Sequence, residues 1–149
     1  MIQPVTNDID KSIIKLIRAS SKGDIDRVIA LIKDSTLVNG KDQYHFTPLI
    51  WACRKGHLKV VKALIDAGAN MEIGDLRNRT AFFHAVTYLR YEVVSYLAEK
   101  KCNVNPVDIY GWSPLDFALT NHNAKVAHLI SKLGASSNQN TDQAVTKID

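Results

Sequence analysis

The 149-residue chain is 46% hydrophobic and 23% charged, with a formal net charge of +4. That composition describes one ordinary globular unit with its own core, and a charge bias this small does not by itself specify a nucleic-acid partner. No apolar run approaches the roughly 18 residues of a membrane span, the opening MIQPVTNDIDK lacks the basic start and apolar stretch of a secretory signal, and two cysteines 49 positions apart make no disulfide framework.

In chain order, an N-terminal lead (1–9) precedes a degenerate first unit over about 10–42. Its Ala19, Gly23, Val28 and Leu31-Ile32 lie 33 residues before Ala52, Gly56, Val61 and Leu64-Ile65. The second unit, 43–75, is the clearest. Thr47 is a good helix N-cap because its hydroxyl can accept from an orphan backbone N–H, and Pro48 suits the first helical position. Gly56 can end that short helix in the left-handed conformation. A second helix follows with Leu58, Val61, Leu64 and Ile65 on one face, and Gly68-Ala69 stops it.

The third unit, 76–108, repeats the frame with Thr80-Ala81-Phe82 but has Leu89 where the second has Gly56. A leucine at positive φ carries a steric cost, so a deformed interhelix turn is expected there. The fourth unit, 109–137, restores Ser113-Pro114-Leu115. Tight hairpin-like turns are expected at 42–47, 75–80 and 108–113. Their tip column His45, Asn78, Gly111 tolerates positive φ, and Asp42, Asp75 and Asp108 form a further matched column. Arg27, Ser131 and Ser137 replace apolar residues of the inner units, as the outer faces of terminal repeats require. The polar stretch 138–149 has no periodicity and is expected to be a flexible tail.

A 33-residue period carrying TPLIWACRKGHLKVVKALIDAGAN, with SPLDFALTNHNAKVAHLISKLGAS as its relative, resembles the ankyrin repeat. The resemblance covers about residues 10–137. It implies an all-α solenoid of stacked helix–turn–helix pairs joined by hairpin-like turns, and it speaks to fold far more than to function.

The residues that look reactive have structural readings. Cys53 lies in a helix column with Ser20, Val86 and Leu119, and Cys102 stands where two other units have Ala69 and Ala135. Thiols at such positions behave as small hydrophobes. Trp51, His84 and Phe117 form a column of large rings that reads as interhelix packing. His57 follows Gly56, where the resemblance makes a histidine a common structural choice. The five histidines lack metal-ligand spacing, and no phosphate loop, nucleophile elbow or paired-carboxylate motif is present. Asp116 reads as a local hydrogen-bonding group near a helix start. The expectation is therefore no enzyme, no cofactor and no metal.

The resemblance implies that the concave surface, made of turn tips and the exposed ends of first helices, binds another protein. Carried over by position, the candidates are Tyr44, Phe46, Arg54, Lys55, Leu76, Arg77, Arg79, Tyr88, Ile109, Tyr110 and Trp112. Tyr, Trp and Arg tend to dominate binding energy, and exposed tips have no folding reason to carry Phe46, Leu76, Ile109 or Trp112; the alternative is that these fold against neighbouring tips and helices. The expected partner offers acidic and apolar side chains to a monomeric chain. The alternative is nucleic acid or another anionic surface held by Lys22, Lys41, Arg54, Lys55, Arg77 and Arg79. Two unpaired thiols point to a reducing, cytoplasmic compartment, with delivery into a host cell expected if the source is a host-associated bacterium.

Overall fold

The computed structural model describes residues 8–139. The N-terminal lead through residue 7 and the expected flexible tail from residue 140 onward lie outside the described residues. Within them, four helix pairs follow one another and no strand occurs. The pairs are α1 (Asp8–Lys22) with α2 (Ile25–Leu31), α3 (Pro48–Lys55) with α4 (Leu58–Asp66), α5 (Ala81–Thr87) with α6 (Tyr91–Glu99), and α7 (Pro114–Thr120) with α8 (Ala124–Lys132). First helices pack on first helices (α1 on α3, α3 on α5, α5 on α7), and second helices form the other layer. The apolar columns meet between the layers. Leu49, Cys53, Val60 and Leu64 of one pair are buried with Phe82, Val86, Val93 and Leu97 of the next. Each such side chain removed from water contributes on the order of 1.5–3 kcal/mol.

The local signals act as their chemistry requires. The Thr47 hydroxyl accepts from the Ile50 amide at 3.1 Å, Thr80 from Phe83 at 3.4 Å and Ser113 from Asp116 at 3.2 Å. Asp116 returns the favour by accepting from the Ser113 amide at 2.8 Å, which closes a capping box. The first unit differs for the same reason. Ile9 and Ile14 stand in the columns of Asp42 and Thr47, so neither the turn nor the cap can form. The helix α1 runs through those positions and reaches 15 residues, against 8 for α3.

The expected deformation at Leu89 is not found. Leu89 takes φ 59°, and the turn closes with the Arg90 amide donating to the Ala85 carbonyl at 2.8 Å. The glycine version at Gly56 closes with His57 to Ala52 at 3.0 Å, and the His122 version with Asn123 to Ala118 at 2.9 Å. The turn is held by helix packing on both sides, so the residue bears the strain and the geometry stays. Gly56 is under a further constraint, because a Cβ there would meet Arg90 Cδ at 2.7 Å. Arg90 lies over the Gly56 turn and donates from Nε to the Arg54 carbonyl at 3.0 Å. His57, one repeat earlier in the same column, covers Gly23 and bonds the Ser21 carbonyl through Nε2 at 3.0 Å. The structural role implied for His57 is thus an inter-repeat contact.

The last turn of chain described departs from the boundary expected at 137. Asn138 and Gln139 fold back: their side chains donate to the Gly111 carbonyl at 2.8 and 2.7 Å, and their amides to the Asp116 carboxylate at 3.1 and 3.3 Å. The Ser137 hydroxyl also bonds Asp116. These polar residues are ordered by a carboxylate that was already committed to its own helix start.

A left-handed L-residue costs roughly 1–2 kcal/mol, and Leu89 is 37% exposed, so its side chain returns only part of that in packing. Leu89→Gly is expected to raise the urea midpoint, equivalent to about 0.5–1 kcal/mol. A lower midpoint would mean that Leu89 packing outweighs the strain.

Candidate functional site

Each turn is built on one aspartate. Asp42 Oδ1 accepts from the amides of Tyr44 and Phe46, both at 2.9 Å. Asp75 Oδ1 accepts from Arg77 at 2.8 Å and Arg79 at 3.0 Å, and Asp108 Oδ1 from Tyr110 at 2.9 Å and Trp112 at 3.0 Å. The second oxygen then ties the turn to a first helix. Trp51 Nε1 donates to Asp42 Oδ2 at 3.0 Å, and His84 Nε2 lies 2.8 Å from Asp75 Oδ2. An ionised carboxylate only accepts, so the proton of that pair sits on Nε2. Two of the three rings in this column are therefore donors, a role beyond the packing expected of Trp51 and His84.

Phe117 has no N–H to offer. At the turn 108–113, Asp108 Oδ2 instead receives Nε (3.1 Å) and Nη2 (3.0 Å) of Arg79, which reaches across from the preceding turn. Arg79 also lies over the rings of Phe117 and Phe83, with Cζ 4.7 and 5.0 Å from the ring centres. Its side chain is 15% exposed and that of Asp108 0%. Arg79, expected on the partner-binding surface, is instead committed to the fold: it completes the turn at 108–113.

Seven of the eleven candidates come together. Tyr44, Phe46, Arg54, Leu76, Arg77, Arg79 and Tyr88 line one cleft of about 390 Å³ between the second and third units, with Asp75, His84 and Thr87 in its wall. Phe46 is half-buried and meets Trp51 and His84 edge-on, both at 5.1 Å, so this tip residue has a folding role after all. Tyr44 (57%), Leu76 (58%), Ile109 (60%) and Tyr110 (63%) stand exposed along the tips. The tips are joined through backbone bonds from Leu76 to the Tyr44 carbonyl (3.4 Å) and from Ile109 to the Arg77 carbonyl (3.0 Å). Lys55, Ile109, Tyr110 and Trp112 lie outside the cleft. Trp112 is half-buried, edge-on to Phe117 at 6.0 Å, so it is not a free tip. Asp75 and His84 were not among the candidates. Their signal was the shared nine-residue spacing of Asp42 to Trp51 and Asp75 to His84.

Burial alone would raise the Asp75 carboxyl; the bonds from His84 and from the amides of Arg79 and Arg77 outweigh it and hold it below the ordinary range. Asp116 behaves alike, with Ser137 and Ser113 overcoming burial. The thiols move the other way. Burial, and secondarily the proximity of Cys102, raises Cys53; burial and the Glu72 carboxylate push Cys102 up to about 12. Neither is a nucleophile at neutral pH. Among the described residues no cluster of His, Cys, Asp or Glu could hold a metal ion, and no helix is long and apolar enough to cross a membrane.

A larger groove of about 620 Å³ lies on the second-helix side. There Lys125 sits over Tyr91 and Lys62 over Tyr96, with Glu92 and Glu99 among the lysines, so its charges are mixed.

These features are those of a repeat protein whose tips and first helices present a surface. The family description "Ankyrin repeats (3 copies)" matches residues 5–75 and 67–141, and the chain belongs to the ankyrin-repeat family. It is 28% identical over 119 residues to a probable E3 ubiquitin-protein ligase of rice, covering 78% of this chain and 24% of that one. It is 34% identical over 85 residues to an E3 ubiquitin-protein ligase of Arabidopsis thaliana (56% and 17%), and 32% identical over 107 residues to an ankyrin repeat protein of fowlpox virus (69% and 16%). The chain thus spans a quarter or less of the length of these curated relatives. Ankyrin repeats are in general protein-interaction modules.

Two predictions follow from the wiring. Removing one member of a buried ion pair strands the other, at about 3–5 kcal/mol. Arg79→Ala should therefore destabilise by about 3 kcal/mol in urea denaturation, whereas Arg77→Ala, whose side chain is exposed, should change stability by less than about 0.5 kcal/mol. Equal losses would break the distinction. Asp75 and Asp116 are lowered in the fold, so their contribution is complete above the unfolded value of about 3.9 and is lost as pH falls through their lower folded values. The urea midpoint should drop over that acid range, and the drop should be smaller in Asp75→Asn.

Proposed function

We propose that this chain binds a partner protein through the face of turn tips and first helices, centred on the cleft between the second and third units. The observation that carries this reading is the concentration there of exposed Tyr44, Leu76 and Arg77 beside Arg54 and Tyr88. Large amphipathic rings, an exposed aliphatic residue and arginines make up the usual anchors of protein interfaces. The expected partner offers apolar side chains to the rings and acids to the arginines, and the chain acts by binding rather than by turnover.

The nucleic-acid alternative loses part of its footing. It relied on six cations, of which Arg79 is spent on Asp108, and Asp75 adds a negative charge within the same cleft. Phosphate-backbone binding needs a continuous track of free cations.

The test is affinity purification with the wild type, an Arg77→Glu/Tyr110→Ala double variant and a control variant, Lys62→Glu, on the opposite side. Proteins kept by wild type and control but lost from the double variant are the expected result, with melting temperatures of all three within a few degrees. Identical sets from all three would defeat the reading.

A further inference from the structure

We propose that Arg54 is the anchor of this cleft: its guanidinium takes one side-chain carboxylate, Asp or Glu, of an acidic partner peptide, whose neighbouring apolar side chains rest on Tyr44 and Leu76. The inference rests on the protein-binding reading above and specifies its central contact.

Four arginines lie in or beside the cleft, and two are spent. Arg79 serves Asp108, and Arg90 donates through Nε to a backbone carbonyl. Arg54 and Arg77 have no carboxylate in ion-pairing range among the described residues. Of these two, only Arg54 is held in place. Its Cζ lies 4.5 Å from the centre of the Tyr88 ring, 5.5 Å from Trp51 and 5.7 Å from Phe46. Those rings are themselves fixed, Trp51 by its bond to Asp42 and Tyr88 by stacking on His84. A guanidinium packed by rings is half-desolvated yet keeps N–H groups along its edge, in a planar fork that fits a carboxylate.

The acid already in the cleft does not pair with it: no ion pair joins Asp75 to Arg54. Asp75 has Oδ1 taken by two amides and Oδ2 by His84. The cleft therefore holds a preorganised, uncompensated cation, so a partner that brings a carboxylate loses little to ordering on the chain's side. Its surroundings favour a peptide over a phosphate backbone: Tyr44 and Leu76 stand exposed beside Arg54, where a strand of nucleic acid would need further cations.

The experiment selects phage-displayed random 12-residue peptides on the purified chain and measures the leading synthetic peptide by fluorescence anisotropy. An Asp or Glu at a shared position is expected. Its replacement by Asn or Gln, and separately Arg54→Gln, should each weaken binding by about tenfold or more. The two changes together should cost little beyond either alone. Arg54→Lys should recover only part of the affinity, because the charge returns without the fork. Thermal melts of both variants establish that they are folded; if Arg54→Gln does not fold, Arg54→Lys and the peptide-side replacement carry the test. Leading peptides without an acid, or Arg54→Gln binding within about twofold of wild type while Leu76→Ala binds weakly, overturn the anchor and leave the protein-binding face standing. Indifference to Arg54→Gln, Leu76→Ala and Arg77→Glu alike, or a selection that returns no binder, overturns both. A 12-nucleotide RNA that displaces the peptide at the same salt, with tighter binding of its own, also overturns the peptide assignment.

Discussion

One carboxylate at the root of each turn does two jobs on which the rest of the stack depends. Through Oδ1 it closes the turn on two backbone amides, and through Oδ2 it clips that turn to a first helix or, at Asp108, to the turn before. A tip is otherwise a short excursion of backbone with polar groups to satisfy and little core of its own. The aspartate gives it a rigid base, and rigidity is what lets neighbouring tips bond to each other across 32 residues of chain. Where the aspartate is missing, at Ile9, no tip forms and the helix continues. There Ile9 and Ile14 replace both the acid and the cap, and the local architecture of the unit differs accordingly.

The same wiring sorts the cations of the proposed binding face. Asp42 and Asp75 find their second donor nine residues on, in the first helix that follows their own turn; Asp108 faces a phenylalanine there and draws Arg79 from the turn before. That exchange ties the turn at 75–80 to the turn at 108–113 and takes one arginine out of circulation. It also separates two residues that look equivalent on the page, Arg77 and Arg79, which are two positions apart on one turn and point their side chains to opposite fates. What is left over, Arg54 among its rings and the exposed apolar tips beside it, has no comparable role within the fold.

Much of the candidate site was legible from position in the repeat. Tyr44, Arg54, Leu76, Arg77 and Tyr88 fall where the period puts tips and helix ends, and they gather in one cleft. The misread residues share a cause. Phe46, Arg79 and Trp112 occupy tip positions but turn their side chains inward, toward a ring or an acid contributed by another part of the stack. Alternation along a tight turn is too short to reveal side-chain direction, and the partner that decides it can lie 29 residues away, as Asp108 does from Arg79. His84 was misjudged for the same reason, because its identity as a ring was visible and its acceptor was not.

By itself the amino-acid sequence determined the repeat length, the helix starts and the buried columns, because caps, prolines and apolar spacing act within a few residues of where they stand. Tertiary structure alone decided the turn at Leu89 and the fate of each arginine. A leucine holds φ 59° because the helices on either side leave the chain no other route. An arginine becomes a strut or a free hand according to whether the carboxylate of the next turn already has a donor. Those outcomes depend on which groups face each other once the units stack, and no window of neighbouring residues contains that information.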